Sequence, residues 1–253
     1  MSSIFDLTGR TALVTGGSKG LGLAFARGLA EAGADLAICS RNERELAKAR
    51  DTIAGATGRR IEAIPADMTN RPDVKRLADE ATRRLGKVDI LVNNAGTNIP
   101  QTIDAITDET WDQLIELNLT SVMALTRALV PGMKARQWGR VIHISSMMAV
   151  ISKEARDAYS ATKAALIGMT KASALELGPF NVTVNCLAPG PFLTELPASL
   201  LSQAERDEWS RVTALQRWGD PKELVGPLLL LASDAGSYIT GQAILVDGGF
   251  TIR

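Results

Sequence analysis

The chain is 253 residues long and 45% apolar, with 28 basic and 28 acidic side chains and therefore no formal net charge. That apolar fraction can fill a sizeable core and excludes a disordered chain, while the charge balance excludes the broad basic face that nucleic acid or an anionic membrane needs. Eleven aromatic residues are too few for a base-stacking platform; two distant cysteines (Cys39, Cys186) and a single histidine (His143) exclude disulfide frameworks and HExxH or Cys/His zinc sites.

The N-terminal MSSIFDLTGR has no basic stretch leading into an apolar one, so it does not read as a signal peptide. The first strand is expected at Thr11–Thr15 (TALVT). It runs into Gly16-Gly17-Ser18-Lys19-Gly20-Leu21-Gly22, after which a helical pattern covers 21–32. A strand turning sharply into a helix points unpaired N–H groups and the positive dipole end at one spot, which suits a phosphate. Glycines at 16, 20 and 22 permit the turn and let a pyrophosphate approach the backbone. The same residues also satisfy G-x-S-x-G, the nucleophile elbow of α/β-hydrolases, with Ser18 as nucleophile and His143 as the sole available base. His143 falls inside an apolar β-run, whereas such a base normally sits on a late loop.

The second strand, Asp35–Cys39, leads into Ser40-Arg41, with Ser40 18 residues after Gly22. Dinucleotide folds place an acidic residue near this point for a ribose 2′-hydroxyl, or a basic one for a 2′-phosphate. Uncharged Ser40 beside Arg41, with Lys19 in the turn, points to NADP(H) over NAD(H). Further on, helical patterns at 43–54, 71–85, 108–136, 158–177 and 221–233 alternate with strands at Ile61–Pro65, Val88–Val92, Arg140–Ser145, Val182–Leu187 and Ala243–Val246. Gly33, Gly55, Gly86 and Gly178 punctuate helix ends. Nearly continuous apolar strands imply burial on both faces, hence a doubly wound, Rossmann-like parallel sheet of seven strands with helices on both sides. No linker, repeat or charge block divides the chain, so 1–253 reads as one domain. Residues 189–219 (PGPF, LPASLL, an acidic stretch and two tryptophans) form an insertion that reads either as a substrate-covering loop or as an ordinary surface excursion. The longest strongly apolar run, Leu224–Ala232, is broken by Gly226 and Pro227 and is too short to span a bilayer, so a soluble cytoplasmic protein is expected.

The helix near 158–177 opens with Tyr159-Ser-Ala-Thr-Lys163. At i and i+4 the phenol and the ammonium share a face, and the ammonium is expected to lower the phenol's pKa toward the working range. Such a phenol can protonate a carbonyl or deprotonate an alcohol, and no metal is called for. Strand ends carrying Ser145 and Ser146, Asn93, the glycine turn and Pro189-Gly190 should converge on the same crevice.

Taken in order, Thr15-Gly16-x-x-x-Gly20-x-Gly22, Asn93-Asn94-Ala95-Gly96, Asn118, Ser146, Tyr159-x-x-x-Lys163, Pro189-Gly190 with Thr194, and Val246-Asp247-Gly248-Gly249 resemble the short-chain dehydrogenase/reductase family over essentially the whole chain. The resemblance implies Tyr159 as general acid/base and Ser146 as hydrogen-bond donor to the substrate oxygen, with Ser145 only a neighbour. Lys163 would hold the nicotinamide ribose and Asn118 would anchor a relay water. It implies a cofactor site of Gly16, Ser18, Lys19, Gly20, Leu21, Gly22, Ser40, Arg41, Asp67, Met68, Asn94, Ala95, Gly96, Tyr159, Lys163, Pro189, Gly190, Phe192 and Thr194. Asp67 would contact the adenine and Thr194 the carboxamide, with Asn118 as a helix kink and Asp67 as a cap for TNRPDVKRL the plainer readings. Phe192 departs from the smaller aliphatic common there. A homodimer or homotetramer acting on a small carbonyl or alcohol, without nucleic-acid or membrane partners, also follows. The stretch Ser146-Met147-Met148 with Lys153-Glu154 is similar to gluconate 5-dehydrogenase-like members, with Lys153 a candidate for a sugar-acid carboxylate; similarity to 3-oxoacyl-[acyl-carrier-protein] reductases is nearly as good. The alternatives from other classes are the Ser18/His143 hydrolase and a nucleotide-binding sensor without turnover.

Overall fold

Alternation of Val, Ile, Leu and Ala along short segments sets which side chain goes to which side of a sheet. In the computed structural model, which describes residues 3–194 and 202–252, those segments form β1 (Thr11–Thr15), β2 (Asp35–Ser40), β3 (Ile61–Pro65), β4 (Ile90–Asn93), β5 (Gly139–Ile144), β6 (Val182–Pro189) and β7 (Ala243–Val246). All pair in parallel in the order β3-β2-β1-β4-β5-β6-β7. The chain therefore builds outward from β1 in one direction and from β4 in the other. The junction of β1 and β4 is where crossovers on opposite faces part and leave a crevice.

The helices between the strands are α1 (Gly20–Glu31), α2 (Glu43–Thr57), α3 (Arg71–Leu85), α4 (Asp108–Ile115), α5 (Ser121–Ala135), α6 (Asp157–Leu177), α7 (Gln203–Val212) and α8 (Val225–Ala232). One side of the sheet packs Val14, Ile38, Val92 and Ile142 against Phe25 and Leu29 of α1, Leu46 of α2 and Leu228 and Leu231 of α8. The other packs Leu13, Cys39, Leu91 and Val141 against Val74 and Leu77 of α3, Leu125 and Met133 of α5, and Leu177 of α6. Each fully buried Leu or Phe contributes about 1.5–3 kcal/mol, so both faces hold the sheet rigid beneath the crevice.

Several expected boundaries move, each for a local reason. The α2 helix runs through Gly55 and stops at Gly58, which takes the left-handed conformation (φ 65°) that ends a helix. Gly178 does not cap α6 in that way; the chain takes a 3-10 turn over Gly178–Phe180 and Asn181 (φ 55°) makes the left-handed residue. The helix expected over 108–136 is interrupted by one π turn, Glu116–Thr120, which contains Asn118. By length and composition alone the run Asp108–Ala135 would pass for a membrane-crossing helix. Here Leu125, Leu129 and Met133 of that run are buried in the core. The expected helix near 221–233 begins as a 3-10 turn, Pro221–Leu224, capped by Asp220. Within the 189–219 insertion the structure shows α7, and a bridge from Phe192 to Gly219; residues 195–201, including all of LPASLL, lie outside the described residues.

Candidate active site

The glycine turn is fixed from below by the end of β4. Thr15 Oγ1 accepts the backbone N–H of Asn94 (3.0 Å) and Ala95 (2.9 Å), and Asn94 Nδ2 donates to the carbonyls of Thr15 (2.9 Å) and Gly16 (3.3 Å). Gly22 admits no side chain: a Cβ there would stand 2.1 Å from the Gly16 carbonyl oxygen. Gly16 and Gly20 hold φ of 66° and 55°, where a Cβ is disfavoured. Lys19, at the N-cap of α1, offers no side-chain cap, and no acidic residue occupies the first turn. By contrast α2 is capped by Asn42, α3 by Asn70 and α4 by Thr107. The first N–H groups of α1 are thus left to an anion, the condition a dinucleotide pyrophosphate requires.

Around this turn the expected cofactor residues assemble. Thr194 lies over Gly20, its methyl 3.8 Å from where a Cβ would be. Gly190, held by its N–H on the Val246 carbonyl, could carry no Cβ against Asp247, whose carboxylate closes the Asp247–Thr251 turn. Pro189 pairs with Val246 in the sheet. Ser18 is half-buried and Leu21 packs on the core. Past β2, Ser40 Oγ donates to the Asn42 carbonyl, and Arg41 is exposed with no ion pair among the described residues. Lys19 reaches across to Glu45 at a loose 3.7 Å, both side chains being exposed. Asp67 accepts the N–H and hydroxyl of Thr69, while the cap of α3 is Asn70; Asp67 is therefore not the helix cap of the plainer reading. Met68 is buried, its sulfur 4.0 Å from Cys39 Sγ. Phe192 turns its ring into the core over Gly219.

The second half of the site rises from β5 and α6. Beyond β5, Ser145 donates to the Lys163 carbonyl (2.8 Å), which leaves Ser146 as the serine beside the Tyr159 phenol, where it acts to lower the phenol's pKa. Ser146 Oγ also accepts the Met148 N–H at 3.1 Å, which fixes its position. Lys163 is 5% exposed; its Nζ donates to the Ile144 carbonyl (2.8 Å) and lies 5.7 Å from the centre of the Tyr159 ring. Gly96 makes room for this amine, since a Cβ there would stand 3.4 Å from Nζ and 3.1 Å from Asn118 Oδ1. Asn118 is fully buried, bonded to both the N–H and the carbonyl of Thr97 and to Thr162 Oγ1 on α6. Its side chain ties three elements together, so any water it anchors would have to use its backbone.

The electrostatics differ from the expectation. Burial holds the Tyr159 phenol above its usual range, opposed by the Ser146 hydrogen bond and by Arg156, not by Lys163. The ammonium has its own burden: burial brings Lys163 down to about 8. Its proton is aimed at the Ile144 carbonyl rather than at the phenol. Arg156 is the residue that the motif pattern did not point to, half-buried three positions before Tyr159. His143 is fully buried, accepts no charge until about pH 3, and meets Asn93 Nδ2 at 3.1 Å. It shares no hydrogen bond with Ser18, so the hydrolase reading has no base. Both thiols are buried and raised by it, Cys39 to about 12 and Cys186 to about 11.

Comparison with known proteins agrees with this arrangement. A family model described as enoyl-(acyl carrier protein) reductase matches residues 16–251. Dehydrogenase/reductase SDR family member 4 of Homo sapiens is 36% identical over 249 residues, covering 98% of this chain and 89% of the relative. A gluconate 5-dehydrogenase from Burkholderia cenocepacia, solved with NADP and tartrate, superposes with a TM-score of 0.93 at 37% identity, covering 98% of each chain. A 3-oxoacyl (acyl-carrier-protein) reductase from Agrobacterium tumefaciens with NADP bound gives 0.93 at 36% identity, over 98% of this chain and 97% of that one.

Proposed function

Since the chain belongs to the short-chain dehydrogenase/reductase family and is an NAD(P)-dependent oxidoreductase, we propose that it prefers NADP(H) and interconverts a ketone and a secondary alcohol, with Tyr159 as general acid and base. The observation that carries this reading is the meeting of the Tyr159 phenol, the Ser146 hydroxyl and the Lys163 amine beside a glycine turn whose helix end is open to an anion. A phenol kept protonated by burial is an acid at neutral pH, as carbonyl reduction needs. A bound nicotinamide supplies the hydride to the carbonyl carbon and takes it back in oxidation. Tyr159 gives its proton to the carbonyl oxygen, and Ser146 donates a hydrogen bond to that oxygen as charge develops on it. Lys163 holds the ribose from the Ile144 side, and Asn118 keeps Thr97 and α6 in register with it.

Gly16, Ser18, Gly20, Leu21 and Gly22 would hold the pyrophosphate, Asn94, Ala95 and Gly96 the ribose side, and Pro189, Gly190, Phe192 and Thr194 the nicotinamide. Asp67 and Met68 would meet the adenine, and Lys19, Ser40 and Arg41 a 2′-phosphate. Arg41, which has no ion pair among the described residues, and the NADP-bound neighbours support the choice of NADP(H). The names of those neighbours offer two substrate classes, a keto-sugar acid and a 3-oxoacyl thioester. The reading extends to a cytoplasmic homo-oligomer, supported by apolar side chains left exposed on α6 (Leu175) and β7 (Leu245).

Tyr159→Phe tests the function. NADPH oxidation with ketones should fall about 1,000-fold or more while NADPH affinity stays within a few-fold, since general acid catalysis supplies about 100- to 10,000-fold. A variant that keeps a tenth of the rate, or more, would overturn the proposal. A wild type that binds nucleotide but turns over no ketone would return the sensor reading.

A further inference from the structure

The 189–219 insertion leaves the fold and returns to it at one place. Its ends are paired there: the Leu193 N–H donates to the Gly219 carbonyl (3.0 Å) and the Gly219 N–H to the Pro191 carbonyl (2.9 Å). That place is on the cofactor side of the crevice, where Thr194 lies over Gly20. The returning stretch is fastened too. Thr213 is fully buried, with Oγ1 2.8 Å from the Ser210 carbonyl and 3.2 Å from that of Arg217, and the Leu215 N–H donates to the Gly248 carbonyl (3.1 Å). No residue of α7 is buried, so a hydrophobic face does not decide where this helix lies. Its half-buried Trp209 does: the ring has Trp218 at 5.8 Å and Phe250 at 5.6 Å between centres, and Trp218 Nε1 donates to the Arg206 carbonyl at 3.0 Å. On the catalytic side, Lys153 Nζ stands 5.1 Å from the centre of the same Trp209 ring. This lysine is exposed and has no ion pair among the described residues; Glu205, one turn before Trp209, directs its carboxylate to Ser202 at 2.7 and 2.8 Å. Lys153 lies in the segment that carries the chain from Ser146 to Tyr159. Its neighbour Ser152 bonds Ser160, the residue after Tyr159, hydroxyl to hydroxyl at 2.8 Å.

We infer that Lys153 and Trp209 form a latch that joins α7 to the segment between Ser146 and Tyr159, which makes α7 the wall closing the substrate side of the crevice. The inference rests on the oxidoreductase reading above and gives the insertion its part in that reaction. An ordinary surface excursion rooted beside Phe192 would have no reason to touch the other side of the site. Here the excursion is rooted on the cofactor side and meets the catalytic side at Lys153, so it spans the crevice. The ammonium is attracted by the negative face of the indole, and the ring is held for it by Trp218 and Phe250. Ser152 passes the hold on to the turn of α6 that carries Tyr159. Lys153 and Trp209 are therefore positioning residues: they touch neither the hydride nor the proton in transfer, and they fix the enclosure in which both move. Lys153, the residue offered by the sequence for a carboxylate, is engaged by a ring instead.

The test is a double-mutant cycle read in two ways. Wild type, Lys153→Met, Lys153→Arg, Trp209→Leu and the double variant Lys153→Met/Trp209→Leu reduce 5-ketogluconate and the neutral ethyl acetoacetate with NADPH. Lys153→Met should raise KM about two- to fivefold for both substrates and leave kcat within about twofold, the range of one exposed cation–π contact. Lys153→Arg, which keeps a cation over the ring, should restore most of the loss. In the Trp209→Leu background the further change Lys153→Met should alter KM less than about 1.5-fold. Unchanged NADPH affinity shows that each variant is folded. Hydrogen exchange of the same proteins without substrate supplies the second reading: residues 150–157 and 203–212 should both exchange faster in Lys153→Met and in Trp209→Leu. An unchanged KM in Lys153→Met would overturn the inference, as would fully additive effects of the two substitutions. A loss confined to 5-ketogluconate would overturn it as well, because Lys153 would then hold a carboxylate. So would faster exchange in the substituted segment alone. If wild type reduces neither ketone, the oxidoreductase reading fails, while hydrogen exchange still decides whether the latch exists.

Discussion

The two sides of the crevice are built on different principles. On the glycine-turn side, two side chains pin the backbone: the Thr15 hydroxyl and the Asn94 amide make four hydrogen bonds to main-chain groups of Thr15, Gly16, Asn94 and Ala95, and Gly22 has no room for one more carbon. On the Tyr159 side, function depends on side chains carried into a dry environment, with Lys163, Tyr159 and Arg156 all shifted by burial. The first side is a matter of shape and tolerates no substitution of its glycines. The second is a matter of desolvation, and it stores a cost in stability that its chemistry uses.

Gly22→Ala should have the largest effect and sharpens the contrast most. Its Cβ meets backbone at 2.1 Å, which no rotamer can relieve, so the turn must shift. NADPH affinity, measured by fluorescence titration, should fall about 100-fold or more, equivalent to about 3 kcal/mol. An affinity within about threefold of wild type would show that the turn is not the cofactor cradle.

Next in size, Lys163→Met should show that the other side carries stored cost. The folded amine titrates near 8 against an unfolded value of 10.5, so burying its charge destabilises the fold fully below pH 8. That destabilisation is relieved as pH rises from 8 to 10.5. The variant should therefore be more stable than wild type at pH 7 by about 2 kcal/mol, after about 1 kcal/mol for the lost Ile144 hydrogen bond. Denaturant unfolding should show the gain shrinking toward pH 10.5 while turnover is lost. Equal stability at both ends of that range would mean that the amine is not desolvated.

The smallest effect belongs to the exposed rim of the cradle. Arg41→Gln should lower kcat/KM for NADPH about tenfold and leave that for NADH nearly alone, as expected for one solvated charge-assisted contact. Equal losses with both cofactors would detach Arg41 from the 2′-phosphate.

What the sequence made legible follows the same division. Strands covered on both faces read as apolar runs, and turn glycines read as a spaced pattern, because both are local consequences of backbone geometry. The π turn at Asn118 was not legible, since it depends on Thr97 and on Thr162 of α6 meeting across the fold. The direction of the Tyr159 shift was not legible either: spacing brings Lys163 near, but burial and the pull of the Ile144 carbonyl decide where its proton points. Arg156 carries no motif, and only its partial burial sets it apart from exposed Lys153. Its spacing of three from Tyr159 at a helix start is the one signal that could have found it.

The account turns on a phenol that its surroundings keep protonated. The chain has two tyrosines, so Tyr238→Phe protein labelled with carbon-13 at the tyrosine Cζ gives a single signal, that of Tyr159. Followed by NMR across alkaline pH without cofactor, that signal should move only above the ordinary phenol value of about 10. A midpoint below that value would contradict the account, because Tyr159 would then enter the reaction as a base made by its neighbours rather than as an acid preserved by burial.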